Sequence, residues 1–485
     1  MLLTADRTLM SNYHDNEFLG FGTCAPPNFI PEWVYSLLFF PRIKANKGVP
    51  SAAPYGLRKI EAQLLKEEFD VITIDSNQIE KHINEAKVIG IYTMDPFGLG
   101  PASSTLATIL KKQPYLAKYF TLLISNPRIA AAKKNGLKII VGGPGAWQFR
   151  YREKFVKKHG IDCIVEGEAE KVIGKIFKNA LDGKALPKHY IVPLSETPSI
   201  EDIPDICRPS INGLVELGRG CCRGCAFCNV TQRPLRWYPL EKIKREITIN
   251  TKAENVSGCC LHAEDVMLYG SKNTTPNEEK LVKLHEFVVK NTKGGFSWSH
   301  CSLAAVASKP RVFSKVAELI NEKQPWWGVE VGIETGSSEI AKRIMPAKAH
   351  PFNGEDWPEV VRTSMGLMHD NKLVPACTLI VGLPDETEDD LIKTMELMDH
   401  LKDFRSLIVP LFFVPLGRLK NEDWFKSAKL SELHRRLLFQ CAEHDFRWVD
   451  NLLEMSFNGK WYAPFLREFY KAFSGIAKRK VRQIE

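Results

Sequence analysis

Cys221, Cys225 and Cys228 lie in the run Gly218-Arg219-Gly220-Cys221-Cys222-Arg223-Gly224-Cys225-Ala226-Phe227-Cys228, a CxxxCxxC spacing with an aromatic residue directly before the last thiol. Three thiolates on one short loop can hold three irons of a [4Fe-4S] cube. No fourth cysteine follows at a ferredoxin-like interval, so the fourth iron is left open to a small molecule. Three other readings compete for this loop. A structural zinc site wants four ligands, usually as two pairs, and the adjacent Cys259-Cys260 with His262 make poor partners for a tetrahedron. A thioredoxin-like couple needs its CxxC at the start of a helix, and neither Cys222 to Cys225 nor Cys225 to Cys228 has that context. Chance clustering of 12 cysteines in 485 residues would not produce a loop flanked by glycine and arginine. Cys222 offers an alternative first ligand to Cys221.

The elements that must position these thiols follow from the hydrophobic pattern. From about 210 to 420 strand and helix alternate as in a partial (β/α)6 barrel, and the strand Leu214-Val215-Glu216-Leu217 delivers the cysteine loop at its carboxyl end, where α/β barrels keep their chemistry. Later strand ends also carry polar groups: Leu261-His262-Ala263-Glu264-Asp265, Ser299-His300 after Phe296-Ser297-Trp298, Val329 to Glu334-Thr335-Gly336, and Leu379 to Gly382-Leu383-Pro384-Asp385-Glu386-Thr387. Each, taken singly, also reads as a cap or turn.

From about 50 to 195, β-branched runs alternate with amphipathic helices, which predicts a doubly wound, Rossmann-like parallel sheet. Val71–Ile74, Val88–Tyr92, Leu137–Val141 and Cys163–Val165 read as its strands. Ligands of such sheets sit beyond the carboxyl ends of the strands. The residues there are Asp95, Leu99, Gly100, Pro101 and Ser103 after one strand, Gly142-Gly143-Pro144-Gly145 after another, and Glu166-Gly167-Glu168 before a helix from Ala169. No GxGxxG opens the first turn, which counts against a dinucleotide. Gly136 reads as a simple turn, whereas two Gly/Pro-rich loops on one sheet edge suit close approach to a flat or bulky ligand. Residues 1–49 read as an N-terminal cap or extension and 196–209 as a Pro-containing linker. The stretch 421–485 reads as helical, with Trp461, Tyr462, Phe465, Phe469 and Tyr470 as core.

The net charge of +9 is modest for this length and its charges are interleaved, so composition does not favour nucleic acid; Lys478–Arg482 reads as a solvated tail. The apolar run Trp33–Phe40 is too short to span a bilayer and lacks the order of a signal peptide. A cytoplasmic protein is expected, and the scattered cysteines Cys24, Cys163, Cys377 and Cys441 suit a reducing compartment.

The GRGCxRGCxFC loop, taken with Cys221 as first ligand, resembles that of radical S-adenosylmethionine (SAM) enzymes, and the loops at 95–103, 142–145 and 166–168 resemble their cobalamin-binding domain. The resemblance to cobalamin-dependent radical SAM enzymes runs from about 50 to 420. It implies a [4Fe-4S] cluster on Cys221, Cys225 and Cys228, with SAM contacted by Phe227, Glu264, Asp265, Ser299, Glu334, Arg343, Gly382 and Leu383. It also implies cobalamin held by Asp95, Leu99, Gly100, Pro101, Ser103, Gly142, Gly143, Pro144, Gly145, Glu166, Gly167 and Glu168. The family's DxHxxG motif is absent, so no histidine is offered to the cobalt. Implied with these are an electron donor and methyl transfer to an unactivated sp3 carbon through a 5′-deoxyadenosyl radical. The run 16–22, the stretch LHAEDVMLYG and the Arg-rich segment after Cys228 are similar to methanogen members that C-methylate a glutamine of methyl-coenzyme M reductase, which implies a protein or peptide partner. The alternatives are a cobalamin-dependent radical SAM enzyme acting on a small molecule or lipid, and a methylthiotransferase, which needs three further cysteines in its N-terminal domain where only Cys24 and Cys163 precede residue 200. A non-catalytic iron or cobalamin sensor would have no use for a SAM site at Glu264, Glu334 and Gly382.

Overall fold

Ile and Val runs with polar breaks become parallel strands because each buries both faces. The computed structural model describes residues 1–457 apart from 28–29 and 254–255, with a few isolated positions beyond 457. It divides into two compact units, Met1–Val215 with Pro239–Cys259, and Glu216–Tyr238 with Cys260–Glu485.

The first unit holds six parallel strands: β1 (Leu2–Ala5), β2 (Ile72–Thr73), β3 (Val88–Tyr92), β4 (Lys138–Gly142), β5 (Cys163–Glu166) and β6 (His189–Ile191). Their order is β2-β1-β3-β4-β5-β6. Ile89, Ile91, Ile139 and Val141 pack on one face with Phe120, Ile124 and Ile129, while Leu3, Val88, Ile140 and Val165 pack on the other with Leu57, Ile173 and Phe177. Helices on both faces leave no polar side to a strand, which is why these segments read as unbroken apolar runs.

This is the doubly wound sheet expected, with a correction at its start. Residues 2–5 belong to no cap: β1 is an interior strand, in register with β3 from Leu2↔Ile89 to Ala5↔Tyr92. Four residues at the chain start are too few to display a period. The chain runs from β1 outward to β2 and then to β3 on the other side, so the strand order reverses at β1/β3 and opens a crevice there. The segment 196–209 is likewise no free linker. Lys59 Nζ donates to the Pro204 carbonyl at 2.7 Å and Arg58 Nε to that of Pro209 at 2.9 Å. A buried Lys59–Glu246 ion pair, with Tyr55 Oη donating to Glu246 at 2.6 Å, ties the helix Tyr55–Lys66 to the helix Leu240–Thr251.

Apart from two short two-stranded ribbons, Ala45–Asn46 with Val49–Pro50 and Gly218–Arg219 with Arg236–Trp237, the further strands are β7 (Val215–Glu216), β8 (Cys259–His262), β9 (Phe296–Trp298), β10 (Trp327–Glu334), β11 (Leu373–Val381) and β12 (Leu407–Phe412). They form two three-stranded sheets, β9-β8-β7 and β10-β11-β12, joined by a parallel bridge from His300, just past β9, to Glu330 of β10. Six strands thus follow in chain order, the partial (β/α)6 barrel expected. Trp298 and Trp327 meet edge-on at 4.7 Å in its core, and the Trp298 indole N–H donates to His285 Nε2 at 2.9 Å. The C-terminal helix runs Glu432–Phe457. Trp461, Tyr462, Phe465, Phe469, Tyr470 and Lys478–Arg482 lie outside the described residues. Among the described residues no helix is long and apolar enough to cross a membrane.

Candidate active site

The cysteine loop leaves β7 through Gly218–Arg219, which pairs antiparallel with Arg236–Trp237 and closes the loop's base. Gly220 turns the chain at φ +82°, where a Cβ would stand 2.3 Å from the Pro234 carbonyl, so no other residue fits. The Ala226 N–H donates to Ile344 O at 2.8 Å, the Arg418 N–H to Ala226 O at 2.7 Å, and Thr231 Oγ1 to Cys228 O at 3.0 Å. The loop is therefore held in shape by protein alone. Burial pushes the Cys221 thiol up to about 12 and the Cys225 thiol up to about 11, and raises Cys228 as well. Cys222 is exposed.

Three desolvated thiols on one loop are a donor set that suits an iron–sulfur cluster, whose irons take thiolate and release the protons. Among the described residues no three His, Cys, Asp or Glu side chains converge as the ligands of one ion would. Thiolates bound to separate irons of a cube do not need to.

Arg223, between the first two cluster cysteines, is buried and works as a strut. Its Nη1 donates to the carbonyls of Ala347 (3.3 Å), Lys348 (3.3 Å) and His350 (2.5 Å), and its Nη2 to Asp265 Oδ2 (3.3 Å) and Ser302 Oγ (2.6 Å). Sequence reasoning missed both Arg223 and Lys348. The Lys348 ammonium pairs with Glu334 Oε1 at 2.6 Å, and Thr378 Oγ1 donates to Glu334 Oε2 at 3.1 Å. Burial disfavours that ammonium, yet Glu334 and Cys225 hold its pKa above the ordinary lysine value. Glu334 itself sits at φ +65°, where β10 slips register against β11, and the Trp357 indole N–H spans the carbonyls of Ile333 and Thr335 on either side.

The other strand-end residues fall into two groups. Glu264, half-buried after β8, makes no hydrogen bond among the described residues, and its charge is felt at Cys228, His262 and His300. Ser299 Oγ donates to Ala263 O at 3.2 Å and lies 3.1 Å from His300 Nδ1. His300 Nε2 stands 3.4 Å from Glu330; burial works against its charge, but Glu330 carries the imidazole up to about 9. Burial and the neighbouring His300 instead lower His262, whose ring lies 5.9 Å from that of His300. Leu383 packs in one apolar cluster with Ala226, Ile340, Ile344 and Phe413, against which Phe227 also lies. Gly382, at φ +80°, has the Phe425 ring pressed on it.

Two residues implied as SAM contacts are spent elsewhere. Asp265 accepts from Arg223, from the Ser302 N–H at 3.1 Å and from the Ser302 hydroxyl. Arg343 is exposed and donates to the carbonyls of Pro384 (2.9 Å) and Asp385 (3.3 Å) at the end of β11.

In the first unit the three expected loops do share one sheet edge, since β3, β4 and β5 are parallel neighbours. Their internal roles differ from those the sequence suggests. A Cβ on Gly143 would stand 2.4 Å from Thr93 O, and one on Gly145 2.5 Å from Met94 O, so these glycines let one loop pack on the next. Asp95 accepts from the Gly100 N–H at 3.0 Å and from Gln148 Nε2 at 2.5 Å, shaping the turn through Leu99, Gly100 and Pro101. Glu166 takes a two-pronged bond from Arg150 and one from His189 at 3.0 Å. Glu168 is buried, and the helix behind Gly167 begins at Ile173 rather than Ala169. Ser103 is different: its hydroxyl, in the first turn of the helix Pro101–Leu110, is buried without a hydrogen-bond partner among the described residues. An orphaned hydroxyl at this edge fits a ligand rimmed with amides, as cobalamin is. The β1/β3 crevice adds Asp6 and Thr8, which the sequence reading missed along with β1; burial raises the Asp6 carboxyl to about 6 although Thr8 donates to it.

Comparison with known proteins agrees with this geometry. Residues 215–398 match the Radical SAM superfamily. Over 347 residues the chain is 22% identical to the tRNA-2-methylthio-N(6)-dimethylallyladenosine synthase of Orientia tsutsugamushi (strain Boryong), covering 69% of this chain and 73% of that protein. It is 26% identical to the ribosomal protein uS12 methylthiotransferase RimO of Clostridioides difficile (strain 630), covering 56% of this chain and 59% of that one. Among solved structures, the radical SAM methyltransferase TsrM from Kitasatospora setae, with cobalamin and a [4Fe-4S] cluster bound, superposes with a TM-score of 0.54 at 14% identity, covering 77% of this chain and 75% of that one. Residues 215–398 are thus a radical SAM domain, in a chain that shares the fold of a cobalamin-binding radical SAM methyltransferase.

Proposed function

We propose that this chain is a cobalamin-dependent radical SAM methyltransferase that methylates an unactivated sp3 carbon of a protein or peptide, with a glutamine of methyl-coenzyme M reductase as the specific candidate. The observation that carries the reading is the pairing of three desolvated thiols on a preshaped loop, Cys225 buried and Cys221 and Cys228 half-buried, with a carboxylate at the neighbouring strand end, Glu264, that has no hydrogen-bond partner among the described residues.

Cys221, Cys225 and Cys228 would hold a [4Fe-4S] cluster, Glu264 the SAM ammonium, and the crevice edge with Ser103 the cobalamin. Bound there, these groups supply a 5′-deoxyadenosyl radical and a transferable methyl group, given one electron from a low-potential donor. The chain's own work is positioning. Leu383 and Phe227 offer apolar surface beside the cysteine loop, which excludes water from a reactive radical. His262 and the His300–Glu330 pair present donors and acceptors for a polar substrate group.

A methylthiotransferase is the second reading, because the relatives named above are a methylthiotransferase and a 2-methylthio-adenosine synthase. It lacks the thiols for a second cluster: Cys163 is buried in the interior strand β5, and Cys24 is the other cysteine before residue 200. Anaerobic turnover of the reconstituted chain with SAM, cobalamin and candidate peptides separates the two by mass spectrometry. The reading expects deoxyadenosine together with a product heavier by CH2, both lost on Cys225→Ala. A product heavier by SCH2, or deoxyadenosine with no methylated product, would refute it.

A further inference from the structure

The turn after the helix Ser338–Ile344 brings a cation to the cysteine loop. Lys348 is 9% exposed, and its ammonium lies 5.8 Å from the centre of the Phe227 ring, the residue directly before Cys228. Two cross-links hold the turn to the loop: Arg223 takes the carbonyls of Ala347, Lys348 and His350, and the Ala226 N–H donates to Ile344 O at 2.8 Å. Arg223 and Ala226 sit between the cluster cysteines in sequence, so the loop that carries the thiols also fixes the ammonium. The ion pair with Glu334 at 2.6 Å sets its direction. The electrostatic influence of Lys348 reaches both Cys225 and Cys228.

Such a charge acts on electron entry. A cluster held by three thiolates gains one negative charge when reduced, and its potential follows local charge, hydrogen bonding and solvent exposure. A cation shielded from water interacts with that added charge more strongly than one on the surface. Glu334 opposes Lys348, but Thr378 takes one of its carboxylate oxygens and the other faces the ammonium.

Resting on the cluster assignment above, we propose that Lys348 is the positioning residue that makes the cluster reducible: clamped by Arg223 and Glu334 against the cysteine loop, its fixed ammonium stabilises the reduced state. One electron passes from an external low-potential donor to the cluster, and Lys348 stays protonated throughout with no bond made or broken.

The test is an EPR-monitored redox titration of the anaerobically reconstituted full chain, with dithionite and mediators and with neither SAM nor substrate present. Lys348→Met shifts the reduction equilibrium at least tenfold toward the oxidised cluster, 59 mV lower for a one-electron couple. Lys348→Arg keeps the charge and restores the wild-type midpoint. Because Lys348→Met leaves Glu334 buried without a counter-ion, the pair Glu334→Gln and Glu334→Gln/Lys348→Met repeats the comparison on a neutral background, where the double variant again titrates lower. Full iron content with equal midpoints in both comparisons overturns the proposal. A wild-type chain that takes up no iron refutes instead the cluster assignment on which it rests.

Discussion

Replacing Arg223 tests whether the site is built before any cofactor arrives. In Arg223→Met the shape of the buried stem is roughly kept, but Asp265, 5% exposed, loses its counter-ion, and Ser302 and the Lys348 carbonyl lose a donor. Removing one partner of a buried pair costs about 3–5 kcal/mol. The carbonyls of Ala347 and His350 lie nearer the surface and turn to water, so they add little. Taking about 4 kcal/mol, a unit of this size melts roughly 8–16 °C lower, at 2–4 °C per kcal/mol. Thermal unfolding of the apoprotein under reducing conditions reads this directly, and iron content after reconstitution reads the consequence for the cysteine loop. Arg223→Lys keeps a charge for Asp265 but cannot span three carbonyls as the planar fork does, and falls between. A melting temperature within about 3 °C of wild type, a change of roughly 1 kcal/mol, with full iron in Arg223→Met would refute the strut.

Glu264→Gln separates ligand contact from scaffold. Its carboxylate bonds to nothing among the described residues, so stability holds within about 0.5 kcal/mol, while SAM affinity measured by anaerobic calorimetry falls about tenfold, or 1.4 kcal/mol; lower stability with unchanged affinity would contradict the assignment. His285 predicts acid lability. Burial pushes its imidazole down to about 4, against 6.5 for the free side chain, so its contribution is whole above pH 6.5 and is lost as pH falls from 6.5 toward 4. The slope is about 1.4 kcal/mol per pH unit. His444, lowered to about 4 by burial, adds to the same window, so denaturant unfolding at pH 7 and pH 5 shows a pH loss roughly halved in His285→Gln; an unchanged loss would contradict it.

The strands most legible in the sequence are those whose burial is two-sided. Val88–Tyr92 coincides with its expected span because an uninterrupted apolar run has few alternatives, and Phe296–Trp298 does so on its period of two, Ser297 standing half-buried between two buried aromatics. β1 was hidden by brevity, and with it the crevice residues Asp6 and Thr8, since a switch point is a property of strand order and not of any one segment. The cysteine loop was legible because its chemistry is local: three ligands within eight residues fix their own geometry. Lys348 was not, since its partners Glu334 and Arg223 are brought to it only by the fold.

Adjacent acids expose the same limit from the other side. Glu264 and Asp265 follow one strand and are chemically near-equivalent, yet the backbone aims them apart: one into a pocket of donors from Arg223 and Ser302, the other to the neighbourhood of Cys228 and His262. What distinguishes them is whether the protein has already answered their charge. Asp265, Glu334, Lys348, Glu330 and His300 each have a partner of opposite sign within the protein. Glu264 and His262 have side chains with no hydrogen-bond partner among the described residues, although both are half-buried and burial lowers the pKa of His262. A polar group kept half-buried and unanswered costs stability, which is why Glu264→Gln reads ligand contact and not scaffold.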